Sequence, residues 1–194
     1  LLEDCAHSFG ATIHKKHSGL FGDAGVYSFY ATKSIPAGEG GILVSNDKKL
    51  INLSHRYVKY DRFDQKMSVG VNFRVSEIQA LLIYSAIKNY KKIINDKHKT
   101  YKIYEKFCKK HKIKFIDQYK KGSGNHYKFT IINKKTKISN YLTKLKTKTS
   151  GIYDYSLNGD MYIPSHHVCL PIWFNQRKNV SKKVLEEIQK SLNV

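Results

Sequence analysis

The sequence predicts an α/β protein in which part of a parallel-sheet domain is followed by a smaller α+β domain. Short apolar runs alternate with glycine turns near the start, and residues 25–30 and 41–45 have the length and composition of strands. Glu3 and Asp4 directly follow a pair of leucines, a pattern typical of the carboxyl end of a buried parallel strand, where open α/β sheets place their ligands. From about residue 112, short strand and helix patterns mix, which favours a second domain of α+β type.

Two more elements complete the start of the first domain. A short strand is predicted at residues 11–13, between turns rich in glycine and polar residues. Asp47 follows the second apolar run and has the side chain of a helix N-cap, so a helix is expected to begin at Lys48.

A long helix is predicted after a polar loop at residues 60–67. Ser76 and Gln79 have the spacing of a capping box, in which each side chain satisfies the backbone of the other, so the helix should start near Glu77. Apolar residues then recur with a period of about 3.6 residues, which predicts that the helix continues, with a bend, to Cys108.

The second domain is expected to contain two strands and two helices. We assign residues 1–95 to a partial large domain with the start of the linking helix, and residues 96–194 to the small domain. The strands are predicted at 113–116 and 126–132, and the helices at 139–146 and 181–192.

Composition indicates an ordinary globular protein. The chain has 194 residues, 41% of them hydrophobic, which is enough for a substantial core. It lacks both the run of about 18 apolar residues that a membrane helix needs and the pattern of a signal peptide, so we expect a soluble, cytoplasmic protein. Cys5, Cys108 and Cys169 have neither disulfide nor zinc spacing and are expected to be reduced thiols.

The net charge of +20, from 35 Lys+Arg against 15 Asp+Glu, would attract polyanions and phosphorylated ligands. Most of the excess is lysine scattered through residues 88–148 among Ile, Asn and Tyr, and it forms neither an arginine-bearing recognition helix nor a zinc finger. Nucleic-acid recognition is therefore disfavoured, although a lysine-driven polyanion-binding module stays open as the weakest of three functions.

Lys33 has surroundings unlike those of most lysines in the chain. Val26, Phe29 and Ile35 place apolar side chains around it, and the glycine-rich Gly38-Glu39-Gly40-Gly41 follows. A partly desolvated amine on a rigid turn is more easily deprotonated, so it can act as a nucleophile towards a carbonyl group. The other lysines lie mostly in polar runs and are expected to be solvated.

Four ordered motifs give the chain a specific resemblance. They are Glu3-Asp4-Cys5-Ala6-His7, then Gly22-Asp23-Ala24-Gly25-Val26-Tyr27-Ser28-Phe29-Tyr30-Ala31-Thr32-Lys33, then Gly38-Glu39-Gly40-Gly41, and Gly70-Val71-Asn72-Phe73-Arg74. Together they resemble the DegT/DnrJ/StrS family of sugar aminotransferases. The resemblance implies a partial fold-type-I transferase that uses pyridoxal 5'-phosphate (PLP). It would comprise the second half of the large α/β/α domain and a small α+β C-terminal domain.

The same resemblance implies roles for five residues. Lys33 would hold the cofactor covalently and move a proton during the reaction, and Asp4 would keep the pyridine nitrogen of PLP protonated. Ser28 would donate a hydrogen bond to the cofactor phosphate. His7 would lie near the ring, with a packing histidine as the equal alternative. Asn72 would reach the partner subunit's cofactor phosphate, which implies a homodimer with shared active sites.

The implied reaction moves an amino group from an amino acid, usually glutamate in this family, to a keto group of a nucleotide-linked sugar in amino-sugar biosynthesis. Family members that replace the lysine with histidine perform dehydration instead, so Lys33 favours transamination. For Arg74 we expect a structural ion pair. We expect Glu39 to hold the glycine turn, and the glycines around it to supply backbone freedom.

Two departures from the family pattern qualify the functional prediction. Family members have a long segment before the Glu3-Asp4 motif, so this chain is expected to be the C-terminal portion of an enzyme, with unpaired edges and exposed apolar faces. The alternative function is a catalytically silent remnant or interaction module. The connection near residues 151–167 is also short, and no role can be assigned to His166 or His167.

Overall fold

The computed structural model describes residues 1–59, 71–117, 121–132 and 167–192. The chain divides into two compact units: residues 1–92 with 119–125, and residues 93–118 with 126–194. The assignment of residues 1–95 and 96–194 to two domains stays a prediction. Within the described ranges, no helix is both long and apolar enough to span a membrane.

The strands and helices, in chain order, are β1 (Leu2–Asp4), β2 (Thr12–Ile13), β3 (Lys16–His17), β4 (Ala24–Ser28), β5 (Gly41–Val44), α1 (Lys48–Lys59), α2 (Glu77–Lys88), α3 (Tyr90–Lys110), β6 (Lys114–Phe115), β7 (Gly122–Ser123), β8 (Phe129–Ile132), β9 (His167–Leu170) and α4 (Lys178–Leu192).

The first unit contains a three-stranded sheet in the order β1-β4-β5. Strands β1 and β4 are parallel, with Asp4 opposite Val26, and this confirms the predicted parallel pairing of the opening strand. Strands β4 and β5 are antiparallel, with Ser28 opposite Gly41. A smaller sheet in the order β3-β2-β7 brings a strand from residues 122–123 onto the first unit.

The expected burial of the opening leucines is wrong. Leu1 is 79% exposed and Leu2 67% exposed. The reason is that β1 is an edge strand of this three-stranded sheet. Leu2 lies on the face of the sheet where Val26 and Leu43 are also exposed. The exposed apolar face that the sequence predicted is therefore present.

The opposite face of the sheet is well packed. The ring of Phe9 lies edge-on to Tyr27 and Phe29, with ring centroids 5.0 Å and 5.3 Å apart. The Glu3 carboxylate accepts backbone hydrogen bonds from Gly19 at 2.8 Å, Phe21 at 2.6 Å and Gly22 at 2.7 Å. The Gly22 N–H, followed by those of Gly19 and Phe21, lowers the pKa of Glu3 against the opposing effect of desolvation. Glu3 thereby ties the turn before β4 to β1.

Both predicted helix starts are confirmed. The Asp47 side chain accepts hydrogen bonds from the N–H groups of Lys49 at 2.7 Å and Leu50 at 3.3 Å, as an N-cap does. Ser76 and Gln79 form the reciprocal capping box at the start of α2.

The helix predicted from Glu77 to Cys108, with a bend, consists of two helices separated by one residue. Helix α2 ends at Lys88 and α3 begins at Tyr90, with Asn89 between them. The Asn89 side-chain amide donates to the Ser85 carbonyl at 2.9 Å, and this carbonyl also accepts from the Asn89 backbone N–H. The dihedral angles of Asn89, φ −100° and ψ 4°, depart from helical values and separate the two helices, which periodicity alone does not reveal.

The second unit packs α3 and α4 with an antiparallel sheet in the order β6-β8-β9. The predicted strand at 126–132 begins three residues late, because His126 has a positive φ of 52° that interrupts extended structure. Helix α4 begins at Lys178, three residues before the predicted start, and β9 was not predicted. The predicted loop at 60–67 and helix at 139–146 lie outside the described residues. The core comprises Tyr101, Tyr104, Cys108, Phe129, Ile131, Val168, Leu170, Val184 and Ile188.

The three cysteines are free thiols, as the sequence predicted, and all three are buried. Cys108 lies in the core of the second unit, where burial raises the pKa of its thiol to about 12. Such a thiol is a packing group with little nucleophilic character.

Two histidines form a direct contact in the second unit. His98 Nδ1 and His126 Nε2 are 2.9 Å apart, and the His126 ring also packs on Tyr101, with centroids 4.8 Å apart. His126 is 6% exposed. Burial, reinforced by the positive charges of His98, Lys97 and Lys102, lowers the pKa of His126 to about 4.

This depressed pKa predicts a pH-dependent stability. Between pH 4 and 6.5 the unfolded state takes up a proton that buried His126 does not, so the free energy of unfolding should rise with pH. With a discount for solvent screening, we expect a gain of ~2 kcal/mol across this window in urea titrations. His126→Gln should flatten the slope, whereas His111→Gln should preserve it. An unchanged slope in His126→Gln would contradict the assignment.

Candidate active site

Two of the predicted site residues lie side by side on the exposed face of the β1-β4-β5 sheet. Asp4 ends β1 and is the register partner of Val26, and Ser28 ends β4 two residues further on. Side chains alternate between the faces of a strand, so Asp4, Val26 and Ser28 share one face. The carboxyl ends of parallel strands are where open α/β sheets bind ligands.

Lys33 lies in the loop that leaves this same edge and returns as β5. Its backbone N–H donates to the Tyr30 carbonyl at 2.9 Å, and its side chain is half-buried. Phe29 closes the base of the loop, since its N–H donates to Gly40 and its carbonyl accepts from Ala37, both at 2.9 Å. The loop is therefore an internally bonded structure that begins directly beside Ser28.

Buried residues on both sides anchor Lys33. Phe29 is fully buried, and Ser34 and Ile35 are 2% and 1% exposed. Of the apolar residues named in the prediction, Phe29 and Ile35 are buried, whereas Val26 is 38% exposed on the open face of the sheet. The apolar surroundings of the Lys33 amine stay a prediction.

The Asp4 and Ser28 side chains are already oriented by local hydrogen bonds. Asp4 Oδ1 accepts the Ala6 N–H at 3.0 Å, which forms a tight turn after β1. Ser28 Oγ accepts the Tyr30 N–H at 3.3 Å, so its own O–H can still donate outward. His7 lies exposed on the turn after Asp4.

Asn72 belongs to a later part of the chain, between α1 and α2. It is exposed on the extended segment before α2, and its Oδ1 accepts a hydrogen bond from Arg74 Nε at 3.2 Å. The structural ion pair expected of Arg74 stays a prediction. Glu39 is exposed in the glycine turn, and His167 is the first residue of β9.

A cleft of about 490 Å³ opens beside the candidate site. It lies between β5, α1 and the segment before α2, and Gly41, the register partner of Ser28, belongs to its wall. None of the five predicted site residues lines it. The remaining lining residues are Leu43, Ile51, Ser54, His55, Val58, Phe73, Arg74 and Val75.

These donor groups match PLP chemically. The amine of Lys33 would suit the aldehyde, the carboxylate of Asp4 would suit a protonated ring nitrogen, and the hydroxyl of Ser28 would suit the phosphate. Within the described ranges, no group of three or more His, Cys, Asp or Glu residues is placed to hold a metal ion.

Two structural contributors were not predicted. Asn125 is buried and binds both the turn that carries His7 and the loop that carries Lys33. Glu3 was noted in sequence only as a partner of Asp4, but it organises the turn at residues 19–22. Neither role has a local sequence signal, because each depends on a contact with residues distant in the chain.

The fold is of the α/β type, and its polar groups lie at the carboxyl ends of parallel strands, where proteins of this type bind ligands. The sequence model of the DegT/DnrJ/EryC1/StrS aminotransferase family matches residues 1–188. The chain therefore belongs to this family, as the motifs indicated.

Two curated relatives illustrate the similarity in sequence. The GDP-perosamine synthase of Escherichia coli O157:H7 is 32% identical over 116 residues, which cover 55% of this chain and 30% of that protein. The UDP-4-amino-4,6-dideoxy-N-acetyl-beta-L-altrosamine transaminase of Helicobacter pylori is 40% identical over 93 residues, 45% of this chain and 25% of that protein. The matched part of the chain thus spans less than a third of either relative.

Solved structures share the fold over nearly the whole chain. PseC of Helicobacter pylori, an aminotransferase involved in pseudoaminic acid biosynthesis, aligns with a TM-score of 0.86 and 21% identity, covering 99% of this chain and 59% of that one. A candidate sugar aminotransferase of Streptococcus pneumoniae in its PLP form aligns with a TM-score of 0.84 and 13% identity, covering 97% and 56%. At these identities the likeness demonstrates the fold.

The geometry of the Lys33 loop yields a stability prediction. Gly40 has a φ of 129°, and an added Cβ would lie 2.6 Å from Ile83 Cδ1, so Gly40→Ala should cost ~1–3 kcal/mol of unfolding free energy in urea titrations. Gly38→Ala is the matched control, because Gly38 has a φ of 93° but open space around the added carbon. Gly38→Ala should therefore lose less unfolding free energy than Gly40→Ala, because it has the unfavourable φ but not the close contact. A Gly40→Ala protein as stable as its parent would contradict this account.

Proposed function

We propose that the full-length protein is a PLP-dependent aminotransferase that moves an amino group from an amino acid to a keto group of a nucleotide-linked sugar. The observation that carries the proposal is the placement of Asp4 and Ser28 on one exposed sheet face, beside the loop that bears Lys33. Membership of the family and the names of the relatives support the substrate class.

In this proposal each side chain has one task. Bound PLP supplies an electron sink that stabilises negative charge on the amino donor. Lys33 holds the cofactor and moves a proton at the donor carbon. Asp4 would keep the ring nitrogen protonated, Ser28 would orient the phosphate, and His7 would lie near the ring.

Glutamate is the proposed amino donor, and a homodimer is the proposed assembly. The segment before α2 and the start of that helix support a second copy as partner, because they expose a run of large apolar side chains next to Asn72. Phe73 is 73% exposed, Ile78 74% and Leu81 66%. Asn72 would reach the partner subunit's PLP phosphate. The reaction is placed in the cytoplasm, a reducing compartment in which buried free cysteines are stable.

Lys33→Ala provides the direct test. With wild type, borohydride reduction in the presence of PLP should add one cofactor to the Lys33 peptide, measured by mass spectrometry. Lys33→Ala should lack this adduct and lose transamination by about 10²–10⁴-fold, since an amine that acts on protons cannot be replaced by a methyl group.

Lys49→Ala, an exposed lysine on α1, is the matched control and should behave as wild type. If wild type and Lys33→Ala trap PLP alike, the proposed function is wrong. A fully folded protein that never takes up PLP would favour the silent remnant or interaction module. Salt-sensitive binding to nucleic acid without PLP uptake would favour the polyanion-binding module.

The shared site predicts complementation between two inactive proteins. Lys33→Ala and Asn72→Ala homodimers should each be impaired at both sites. In a mixed dimer, one site combines the intact Lys33 of one subunit with the intact Asn72 of the other. Random reassortment should restore about a quarter of wild-type activity, because half of the dimers are mixed and each holds one intact site. No recovery in dimers shown to be mixed would contradict shared sites.

A further inference from the structure

One buried asparagine connects the two loops that carry the candidate site. Asn125 is 6% exposed and belongs to residues 119–125, which return to the first unit after a stretch of the second. Its Nδ2 donates to the carbonyls of His7 at 2.8 Å and Phe9 at 3.1 Å. Its own carbonyl accepts from Ser34 Oγ at 2.9 Å, directly beside Lys33.

The chemistry of these contacts requires an amide at this position. Both atoms that Asn125 Nδ2 contacts are carbonyl oxygens, so a group with two N–H donors is needed to satisfy them. Ser34 is 2% exposed, and its bond to the Asn125 backbone is also shielded from water. A buried hydrogen bond is costly to break when its partner is left unsatisfied.

Asn125 is itself held firmly against the first unit. Strand β7 pairs with β2, with Ser123 opposite Thr12, and the Lys121 carbonyl accepts from the His14 N–H at 3.1 Å. The peptide before Asn125 therefore continues a sheet of the first unit. Through its hydrogen bonds to His7, Phe9 and Ser34, Asn125 ties both loops to this sheet.

We infer that Asn125 is a positioning residue for the PLP site, acting through the turn after Asp4 and the loop at Lys33. This inference rests on the proposed function, and it adds a residue outside the four sequence motifs. With Asn125 in place, the carboxylate of Asp4 and the amine of Lys33 are held at a constant separation. Without it, each loop retains its internal bonds but loses its connection to the other.

The test compares Asn125→Asp and Ser34→Ala with two matched controls in the full-length protein. Asn125→Asp keeps the shape but sets a carboxylate oxygen against two carbonyls, and Ser34→Ala removes the bond beside Lys33. Asn52→Asp, exposed on α1, and Ser123→Ala, exposed on β7, make the same chemical changes elsewhere. If Asn125→Asp fails to fold in a thermal melt, Ser34→Ala decides the result.

Three measurements are expected to change in both variants and in neither control. Hydrogen exchange without cofactor should accelerate about tenfold in peptides covering residues 5–10 and 29–40, equivalent to ~1.4 kcal/mol of local stability. The dissociation constant of PLP should rise by about tenfold. The pH titration of the absorbance of bound PLP should shift, which a general loss of stability would not produce.

The outcomes separate this inference from the proposed function. If wild type carries PLP on Lys33 and both variants match it in exchange, affinity and pH titration, the positioning role is wrong and the aminotransferase stands. If wild type carries no PLP on Lys33, the proposed function fails and this inference fails with it.

Discussion

The parallel pairing of β1 with β4 is the constraint on which the candidate site depends. Its register sets Asp4 opposite Val26, and this places Ser28 just beyond Asp4 on the same face. A slip of one residue would turn the Asp4 side chain away from Ser28, because strand side chains alternate between faces. The Glu3 carboxylate opposes such a slip from the other face, where it accepts three backbone hydrogen bonds from the turn that leads into β4. Close packing also opposes a slip, because the position of Gly25 admits no side chain: a Cβ there would lie 2.3 Å from the Gly19 backbone.

The two faces of this sheet have different tasks. Phe9 and Tyr27 fill one face, and Glu3 satisfies the turn next to them, so that face supplies rigidity. The other face leaves Val26 and Leu43 exposed around the polar groups of Asp4 and Ser28. An apolar surface with a few convergent polar groups is the usual composition of a cofactor site. The division explains how a small sheet can present reactive groups without losing its order.

Much of this arrangement could be predicted from sequence, for local reasons. The capping box at Ser76 and the N-cap at Asp47 depend on neighbouring residues and were correct. The parallel type of the opening strand was also correct, because the local pattern of apolar residues followed by carboxylates is typical of such strands. The sequence predicted a bend in the long helix but not its position, because the departure of Asn89 from helical dihedral angles leaves no mark in the apolar periodicity. The burial of Leu2 was overestimated because apolar composition does not tell how many neighbours a strand has. Asn125 had no signal, since its partners lie more than a hundred residues away for His7 and nearly as far for Ser34.

Burial alone would have selected a different lysine as the reactive amine. Lys97 is 4% exposed, and desolvation lowers its pKa to about 8, a favourable value for a nucleophile. It lies on α3 next to His98, in the second unit, and the strand ends that carry Asp4 and Ser28 belong to the first. A cofactor with a basic ring nitrogen and a phosphate needs an anion and neutral donors in addition to an amine. Lys33 lies in the loop that leaves the sheet edge carrying these groups, so the arrangement of its neighbours, more than its own burial, is the reason that we propose it as the amine for PLP.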